Sequence, residues 1–166
     1  MANDQRLWLS RSWTTRPRRE GEPESSYVFV DRAAFEQRRA EGGFLEWTEF
    51  MGHLYGTPWP QDIPPGHDLV LEVDLEGVRS IRKLHPEAVV VLVVPPSEEV
   101  QRARMVARGD PPEVVEQRVQ LGRHEISEME ALADYKVVNT DLEQALDELR
   151  QIVEEERWRE TQSPGS

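Results

Sequence analysis

Hydrophobic positions along the chain fall into short apolar runs that alternate with stretches of helical spacing. The three clearest runs are Leu69–Asp74, Ala88–Val94 and Tyr135–Asn139. Because these runs are nearly continuous and rich in β-branched residues, they are typical of parallel strands that helices cover on both faces. Helical spacing is found at Ser97–Ala107, from Asp110 onward and from Leu142 onward. This alternation of strands and helices predicts an α/β fold with a parallel sheet core.

Two of the helical stretches carry signals for an N-terminal cap. Ser97 can cap the first of them, because the acidic Glu98 and Glu99 follow in its first turn. The segment Thr140–Glu143 has the form of a capping box ahead of the last helix. Beyond it, apolar residues recur on one helical face, at Leu142, Ala145, Leu146, Leu149 and Val153. This stripe predicts that the last helix packs against the sheet.

The region from Tyr27 to Tyr55 follows a different pattern, in which short strands flank a single helix. The predicted elements here, together with one strand upstream, are Leu7–Leu9, Tyr27–Val30, Arg32–Glu41 and Phe44–Phe50. Gly42 and Gly43 end the predicted helix, since glycine is the usual residue after a helix C-terminus. The pattern therefore predicts a small β-rich subdomain inserted into the α/β body.

The length of the chain limits its domain organisation. A chain of 166 residues can bury one hydrophobic core and is too short for two independent domains. We expect one domain over residues 1–159, with the inserted subdomain at 13–68 and an arginine-rich helical region at 97–125. Residues 160–166 are polar and contain proline, glycine and serine, so we expect a disordered tail there.

Composition excludes several classes of function. The formal net charge is −12, with 32 acidic and 20 basic residues, which argues against binding to nucleic acid or to an anionic membrane. The chain has no cysteine, and its four histidines lack the spacing of metal ligands, so we expect no protein-bound metal site. No stretch approaches the roughly 20 apolar residues that span a bilayer, and no secretory signal is present. We therefore expect a cytoplasmic protein.

One segment stands out against this acidic background. The ten positions from Ser10 to Arg19 hold four arginines and four hydroxyl residues. Guanidinium groups and hydroxyl donors are what a phosphate monoester site requires. A solvated basic loop that pairs with the acidic surface is the alternative interpretation.

Several short motifs follow this basic segment in a fixed order. They are the Ser-x-Thr-Thr-Arg-x-x-Arg-x-Gly-Glu pattern at Ser12–Glu22, Leu-Glu-Trp at Leu45–Trp47, Tyr-Gly-Thr-Pro at Tyr55–Pro58 and Leu-Glu-Val-Asp-Leu-Glu-Gly at Leu71–Gly77. Together they resemble the guanylate kinase family, and the resemblance runs from about Leu7 to about Arg157. It implies the fold of a P-loop nucleoside monophosphate kinase, with a GMP-binding subdomain at 13–68 and a lid at 97–125.

The resemblance implies which residues hold the phosphate of GMP. Arg16 and Arg19 take its charge, and the hydroxyls of Tyr27 and Tyr55 donate to the same oxygens. Two arginines and two phenols would neutralise and orient a dianion. For the two tyrosines, packing in an aromatic core is the alternative.

The resemblance also places Ser12, Glu46, Thr57 and Asp74 around the guanine base. A carboxylate can accept hydrogen bonds from guanine N1–H and the 2-amino group together, whereas adenine offers no such pair of donors. We therefore expect Glu46 to determine the preference for guanine. An outward-facing glutamate on an edge strand is the alternative for Glu46, and turn formation is the alternative for Thr57.

Asp74 follows an apolar strand together with Glu72, at the edge of a sheet where α/β proteins bind ligands. Either a contact with the base or the organisation of Mg²⁺ is compatible with this position. The family commonly has glutamine before the glycine of this motif, where this chain has Glu76. The sequence alone assigns no role to that added charge.

A second cluster of arginines lies in the predicted lid. Arg104 and Arg108 are four residues apart, so on a helix they would share a face. The resemblance implies that these two arginines and Arg118 are catalytic, stabilising the charge of the transferred phosphoryl group. It places Asn139 near the nucleotide. Pairing with acidic neighbours is the alternative for the arginines, and a turn is the alternative for Asn139.

No Gly-x-x-x-x-Gly-Lys-Ser/Thr motif occurs in the 166 residues, and Lys83 and Lys136 are the two lysines of the chain. We expect the first strand, the phosphate-binding loop and the first helix of the family to be absent from this chain. Two explanations are open. Met1 is an internal methionine of an ordinary guanylate kinase, or the chain is a non-catalytic GMP-binding or protein-interaction module.

The expected function is transfer of the γ-phosphoryl group from ATP to GMP, giving ADP and GDP, with Mg²⁺ accompanying ATP. The lid arginines favour an enzyme, because a binding module has little use for groups that stabilise a transition state. The expected partners are thus GMP and ATP, and the sequence identifies no protein partner.

Overall fold

The computed structural model describes residues 4–162, which form two compact units. We call residues 4–88 the N-terminal unit and residues 89–162 the C-terminal unit. The division falls between residues 88 and 89, whereas the sequence predicts one domain with an insertion at 13–68. Four of the seven residues of the expected tail, 163–166, lie outside the described part of the chain.

The N-terminal unit holds two sheets and two helices. Its strands are β1 (Leu7–Leu9), β2 (Trp13–Thr14), β3 (Val28–Phe29), β4 (Phe44–Phe50), β5 (His53–Pro58) and β6 (Asp68–Val70). Its helices are α1 (Arg32–Ala40) and α2 (Leu75–Leu84), with a 3-10 turn at Glu24–Ser26. Strands β1 and β6 form a parallel pair, and the other four form a sheet in the order β3-β2-β5-β4. The β-rich subdomain predicted from the sequence is therefore confirmed.

The β4–β5 hairpin sets the faces of the four-stranded sheet. Its two loop residues, Met51 and Gly52, have φ angles of 50° and 77°, the left-handed values of a two-residue hairpin turn. Thr57 lies opposite Glu46 in this hairpin, and Tyr55 lies opposite Thr14 on the neighbouring strand. Since Tyr55 and Thr57 are two residues apart on one strand, these side chains share one face of the sheet.

The opposite face of this sheet carries the core of the unit. Phe35 of α1 packs with Phe44 and Leu54, and its ring stacks on Phe44 with centroids 4.5 Å apart. Helix α1 begins where the carboxylate of Asp31 accepts from the Ala34 N–H at 2.7 Å. The helix ends before Gly42, which has a φ of +69°. The predicted glycine stop is confirmed.

The C-terminal unit is built on one pair of parallel strands. Its elements are β7 (Val91–Val94), α3 (Glu98–Ala107), α4 (Pro112–Glu130), β8 (Tyr135–Val138) and α5 (Leu142–Gln162). Met105 of α3 packs with Val115 and Val119 of α4 to form the cluster that joins these two helices. The predicted cap is present, because Ser97 Oγ accepts from the Val100 N–H at 3.3 Å.

Several sequence-based expectations need correction. The apolar run at Leu69–Asp74 is a paired strand only over Asp68–Val70, because its partner β1 ends at Leu9. Asp141, not Thr140, caps the last helix, since its Oδ1 accepts from the N–H groups of residues 143 and 144 at 3.0 and 3.2 Å. Leu142 is 63% exposed and does not join the packed stripe, whereas Ala145 does.

The last helix extends to Gln162, so residues 160–162 are helical rather than part of a tail. Glu–Arg pairs along its exposed side support the final turns, as at Arg159, which contacts Glu155 at 2.6 Å and Glu156 at 2.7 Å. No helix within residues 4–162 is long and apolar enough to cross a membrane.

Candidate functional site

The basic segment after β2 folds into a loop closed by a carboxylate. Arg16 donates through both terminal nitrogens to Glu22, at 2.7 and 3.0 Å. The same carboxylate accepts from the backbone N–H of Arg19 at 2.9 Å. The hydrogen bonds from Arg16 hold the pKa of Glu22 at about 2, against an ordinary value of 4.5. Glu22 thus fixes the position of one predicted phosphate-binding arginine and the backbone of the other.

Aromatic rings surround the Arg16 guanidinium. Its central carbon lies 5.5 Å from the ring centre of Tyr27 and 5.7 Å from that of Phe29. Tyr27 contacts Tyr55 edge to face, with ring centres 6.2 Å apart. Burial, and after it the negative charge of Glu72, raises the pKa of Tyr27, so its hydroxyl remains a hydrogen-bond donor at neutral pH. The structure therefore brings Arg16, Tyr27 and Tyr55 together.

Glu46 is the buried carboxylate of the sheet, with only 8% of its surface exposed. Its Oε1 accepts from the Thr57 N–H at 3.1 Å and from the Thr57 hydroxyl. The pKa of Glu46 is raised above its ordinary value of 4.5, chiefly by burial and further by the charge of Asp74. The hydrogen bonds from Thr57 offset part of this increase in pKa. The alternative of an outward-facing glutamate is therefore wrong, since this side chain faces the interior.

Helix α2 begins beside Glu46. The Oδ1 atom of Asp74 accepts from the Gly77 N–H at 2.9 Å and so caps the helix. A Cβ atom on Gly77 would lie 2.7 Å from the Cβ of Val73 and 3.2 Å from Oε2 of Glu46. Only glycine leaves room at this position for Glu46 and the helix to approach each other. Asp74 and Glu46 accordingly lie at one end of the same face.

We refer to Arg16, Tyr27, Tyr55, Thr57, Glu46 and Asp74 as the polar face. Arginine and the tyrosine hydroxyls form one end of it, and two carboxylates form the other. Such a face offers positive charge and donors to an anion at one end, and acceptors to a group with N–H donors at the other.

Two hydroxyl residues of the basic segment have structural roles. The Oγ1 atom of Thr14 accepts from the Arg16 N–H at 3.1 Å, and Thr15 Oγ1 accepts from the Leu54 N–H at 2.8 Å. Both oxygens thus hold backbone and shape the loop. Ser12 is half-buried, and its carbonyl accepts from the Val28 N–H at 2.9 Å.

Glu76 lies outside the polar face. Its carboxylate is on the exposed side of α2, where it pairs with Arg79 one turn later at 2.5 Å. Glu72 is also exposed, although its charge acts on Tyr27. Within residues 4–162 no group of three or more histidine, aspartate or glutamate side chains is placed to hold a metal ion.

The predicted lid residues all belong to the C-terminal unit. Arg104 donates through Nη2 to the carbonyls of Asn139 and Thr140, at 2.9 and 3.2 Å. Arg108 follows the last residue of α3 and pairs with Asp110, at 2.8 Å from Nε and 2.5 Å from Nη2. The two arginines therefore reach different partners and do not converge, because the helix ends between them.

Arg118 is half-buried on α4, and Asn139 comes directly after β8. The Asn139 N–H donates to the Val94 carbonyl at 2.8 Å, which continues the pairing of the two strands. Asn139 is thus held at the end of the sheet by its backbone, and through its carbonyl it is joined to Arg104.

Two residues of this arrangement were missed in the sequence. Glu22 belongs to the motif at Ser12–Glu22, and its spacing of six residues from Arg16 across a loop with Gly21 is the sequence signal for their pairing. Gly77 was noted only as part of a motif. Its role depends on the approach of a strand that lies 31 positions away, which local pattern does not reveal.

An α/β fold with a basic loop, a buried carboxylate and a second arginine cluster is typical of an enzyme that binds a phosphorylated ligand. Comparison with known proteins then identifies the family. The family model for guanylate kinase matches residues 2–156 of this chain. The chain belongs to the guanylate kinase family, and it is a transferase.

Individual relatives agree with this assignment. A guanylate kinase of Thermus thermophilus is 42% identical over 159 residues, which cover 93% of this chain and 72% of the relative. One of Nitrosomonas europaea is 40% identical over 162 residues, covering 95% of this chain and 80% of the relative. The crystal structure of guanylate kinase from Anaplasma phagocytophilum has a TM-score of 0.76 and 32% identity, covering 92% of this chain and 77% of that one.

Proposed function

We propose that the polar face binds GMP, and that the protein transfers the γ-phosphoryl group of ATP to it, producing ADP and GDP. The observation that carries the proposal is the buried Glu46, which Thr57 holds on the same sheet face as Tyr55. A buried carboxylate needs hydrogen-bond donors to offset its lost hydration, and guanine supplies two on one edge. Family membership supports guanylate kinase activity.

Base recognition follows from the acceptors at one end of the polar face. In the proposal, Glu46 accepts from guanine N1–H and the 2-amino group, and Asp74 and Ser12 complete the surroundings of the base. Thr57 orients the carboxylate through Oε1, and in the proposal the two guanine donors take its remaining acceptor positions. Adenine would leave Glu46 with the hydrogen bonds from Thr57 alone in a buried place, which is costly.

Phosphate binding follows from the opposite end. Arg16 and Arg19 supply positive charge, and the hydroxyls of Tyr27 and Tyr55 donate to the phosphate oxygens. Glu22 already neutralises part of the charge on Arg16. The proposed contribution of Glu22 is therefore to hold the Arg16 guanidinium in place before GMP binds, which reduces the entropy lost on binding.

Phosphoryl transfer requires stabilisation of charge on the transferred group. We assign this to Arg104, Arg108 and Arg118, with Asn139 near the nucleotide. For Arg108 this means exchanging Asp110 for a phosphate oxygen. Such an exchange replaces one charge-assisted hydrogen bond with another, so its net cost is small.

Magnesium enters the proposal as the ion that accompanies ATP. Mg²⁺ is usually held by one or two carboxylates together with phosphates and water, and not by a closed cage of protein ligands. The bound ion would neutralise charge on the phosphates. A cytoplasmic location, where both nucleotides are present, is part of the proposal.

GMP binding tests the substrate assignment directly. Calorimetric titration of the chain should show binding of GMP, with AMP weaker by at least about 100-fold because its base lacks the two donors. Arg19→Ala should weaken both nucleotides, and Arg18→Ala is the matched control, since Arg18 is an exposed neighbour. Equal affinity for GMP and AMP, or no GMP binding, would reject the assignment of the polar face.

Phosphoryl transfer is tested separately, by a coupled assay for ADP with GMP as the acceptor. The 166 residues contain no Gly-x-x-x-x-Gly-Lys-Ser/Thr loop to hold the phosphates of ATP. GMP binding without transfer would therefore show that these 166 residues bind the acceptor nucleotide but do not carry out the transfer. Where transfer is measured, Arg104→Ala should lower kcat by about 100-fold or more, whereas Arg102→Ala should not.

Arg102 is a suitable control because it lies on the same helix and pairs with Glu116 at the surface. Equal effects of the two substitutions would remove Arg104 from the catalytic set. If Arg104→Ala lowered GMP affinity and left kcat unchanged, Arg104 would also leave the catalytic set, since a lid arginine acts on the transferred group.

A further inference from the structure

The N-terminal unit contains a second candidate binding site, a cavity of about 420 Å³. Trp13 and Val28, which line it, are register partners on β2 and β3. Side chains alternate between the two faces of a strand, and Thr14, which follows Trp13, pairs with Tyr55 of the polar face. Trp13 and Val28 therefore lie on the other face of the sheet. The cavity therefore opens on the side of the sheet away from the polar face, and none of the residues proposed to contact GMP lines it.

Arginine supplies all of the charge in the lining. Arg11 and Arg38 are its two charged residues, and no acidic side chain lines the cavity. Neither arginine forms an ion pair within residues 4–162, although the protein has a net charge of −12. Local positive charge without a carboxylate, in so acidic a chain, favours an anionic ligand.

The two arginines are also held in place. Arg11 donates through Nη2 to the carbonyls of Glu24 and Tyr27, at 2.5 and 2.6 Å. Arg38 lies over the ring of Trp13 at 5.5 Å, and its Nε is buried without a hydrogen-bond partner. That Nε has almost no accessible surface and lies against Gly43, so Gly43 and Trp13 together fix the side chain of Arg38 at the cavity.

Aromatic surface completes the cavity. Trp8 and Trp59 line it and are 39% and 44% exposed, so their rings remain open to a ligand. Gln61 and Ser10 add uncharged polar groups. Planar rings bind well against tryptophan, and arginine beside them binds phosphate.

We propose that this cavity binds a nucleoside phosphate at a site separate from the polar face. The volume of the cavity lies within the range of small-molecule sites. A smaller aromatic anion such as benzoate is the alternative ligand, and it would leave most of this volume empty. A nucleotide combines the two features that the lining selects. The base stacks on Trp59, and the phosphates meet Arg11 and Arg38. The proposal is independent of the function assigned to the polar face.

The test is calorimetric titration of the full chain with UTP and with GTP, in the presence of enough GMP to saturate the polar face. Both should bind, and Trp59→Leu and Arg38→Gln should each weaken binding by about tenfold through lost stacking and charge. Trp59 is exposed, so the first substitution leaves the fold intact even where the second one does not.

A matched control exists for each substitution: Arg39, the next residue of α1, for Arg38, and Trp47 of the same unit for Trp59. Arg39 lies over Trp47 at 4.5 Å, outside the cavity, whereas Arg38 lies over Trp13 at 5.5 Å. Arg39→Gln and Trp47→Leu should leave nucleotide affinity within about twofold, because neither contacts the proposed ligand. The proposal is overturned by absent binding, by equal losses in the control variants, by unchanged affinity in Trp59→Leu, or by benzoate binding as tightly as UTP.

Discussion

Glu46 shows how a single buried side chain sets both selectivity and stability. It keeps a carboxylate at 8% exposure, with Thr57 as its hydrogen-bond donor. Burial disfavours the charged form, which is why the pKa of Glu46 is raised. A ligand with two N–H donors would favour the same charged form. The residue is therefore suited to bind such a ligand and poorly suited to stabilise the unliganded fold.

Glu46→Gln should weaken GMP binding by about 10- to 100-fold, because a charge-assisted hydrogen-bond pair becomes a neutral one with a clashing amide N–H. AMP binding should change much less. Calorimetry with both nucleotides measures the difference. Glu49→Gln is the control, since Glu49 is exposed on the same strand and pairs with Arg32. An unchanged ratio of GMP to AMP affinity would contradict the role of Glu46.

The same substitution should raise thermal stability near neutral pH. A carboxyl whose pKa is raised by folding stabilises the protein below its unfolded pKa of about 4.5, and that contribution is lost as pH rises through the folded pKa. Glutamine has no such loss. Thermal unfolding from pH 4 to pH 8 should show the gain of the variant growing with pH, and a gain independent of pH would contradict the explanation.

Glu22 has the opposite electrostatic character. The hydrogen bonds from Arg16 lower its pKa to about 2, so the pair persists in acid. Its contribution to the free energy of unfolding is present above the unfolded pKa of 4.5 and is lost as pH falls toward about 2.

Glu22→Gln should therefore destabilise the protein most above pH 4.5, and the difference from the unaltered chain should shrink as pH approaches about 2. GMP affinity should also fall, because Arg16 is no longer held. Glu20→Gln, at an exposed position two residues earlier, should do neither. Urea unfolding at a series of pH values measures the effect, and a difference that does not depend on pH would count against it.

At the scale of elements, the start of α2 and strand β4 are fitted to each other at Gly77. The helix brings its first turn against the strand that carries Glu46, and the missing side chain of Gly77 leaves the space for it. The Asp74 cap fixes where the helix begins. Strand, cap and glycine together place two carboxylates at one end of the polar face.

Gly77→Ala should destabilise the protein by about 1–3 kcal/mol, since the new Cβ must displace Val73 or Glu46. GMP affinity should fall with it. Gly122→Ala on α4 is the control. Its Cβ meets only the end of Gln101 at 3.4 Å, so the change should stabilise the helix by up to about 1 kcal/mol. Urea unfolding distinguishes the two, and a neutral Gly77→Ala would show that the contact is loose.

At the scale of the whole molecule, the residues proposed for the two halves of the reaction lie in different units. Every residue assigned to GMP belongs to the N-terminal unit, and every assigned lid residue belongs to the C-terminal unit. Each unit has its own buried cluster, around Phe35 in one and Val119 in the other. Stability can therefore differ between them, because the two clusters have no member in common among residues 4–162.

GMP should protect the backbone amides of β4 and β5 from hydrogen exchange far more than those of α3 and α4. A ligand stabilises the region that binds it by mass action, and both strands carry polar-face residues. Exchange measured by mass spectrometry with saturating GMP, compared with AMP as the control nucleotide, checks this. Equal protection of the two units would contradict the assignment of GMP to residues 4–88.

Much of the order of elements could be predicted from the sequence because it depends on local physics, although the pattern does not predict helix α2 or strands β2 and β5. Gly42 after α1 and Ser97 before α3 act through their own backbone neighbours, and both predictions are confirmed. The end of β6 could not be predicted in this way, since it depends on where β1 stops. Exposure of Leu142 likewise depends on packing that its own spacing does not report.

The sequence by itself determined the family, four of the five helices within residues 4–162, several of the strands, and the residue types that a nucleotide site requires, because motifs and periodicity are properties of neighbouring positions. Only the tertiary structure decided how those residues are used. It joined Arg16 to Glu22, separated Arg104 from Arg108, and placed Gly77 against Glu46. Such contacts depend on the positions of side chains in space, and a carboxylate becomes buried or paired only when distant elements pack around it.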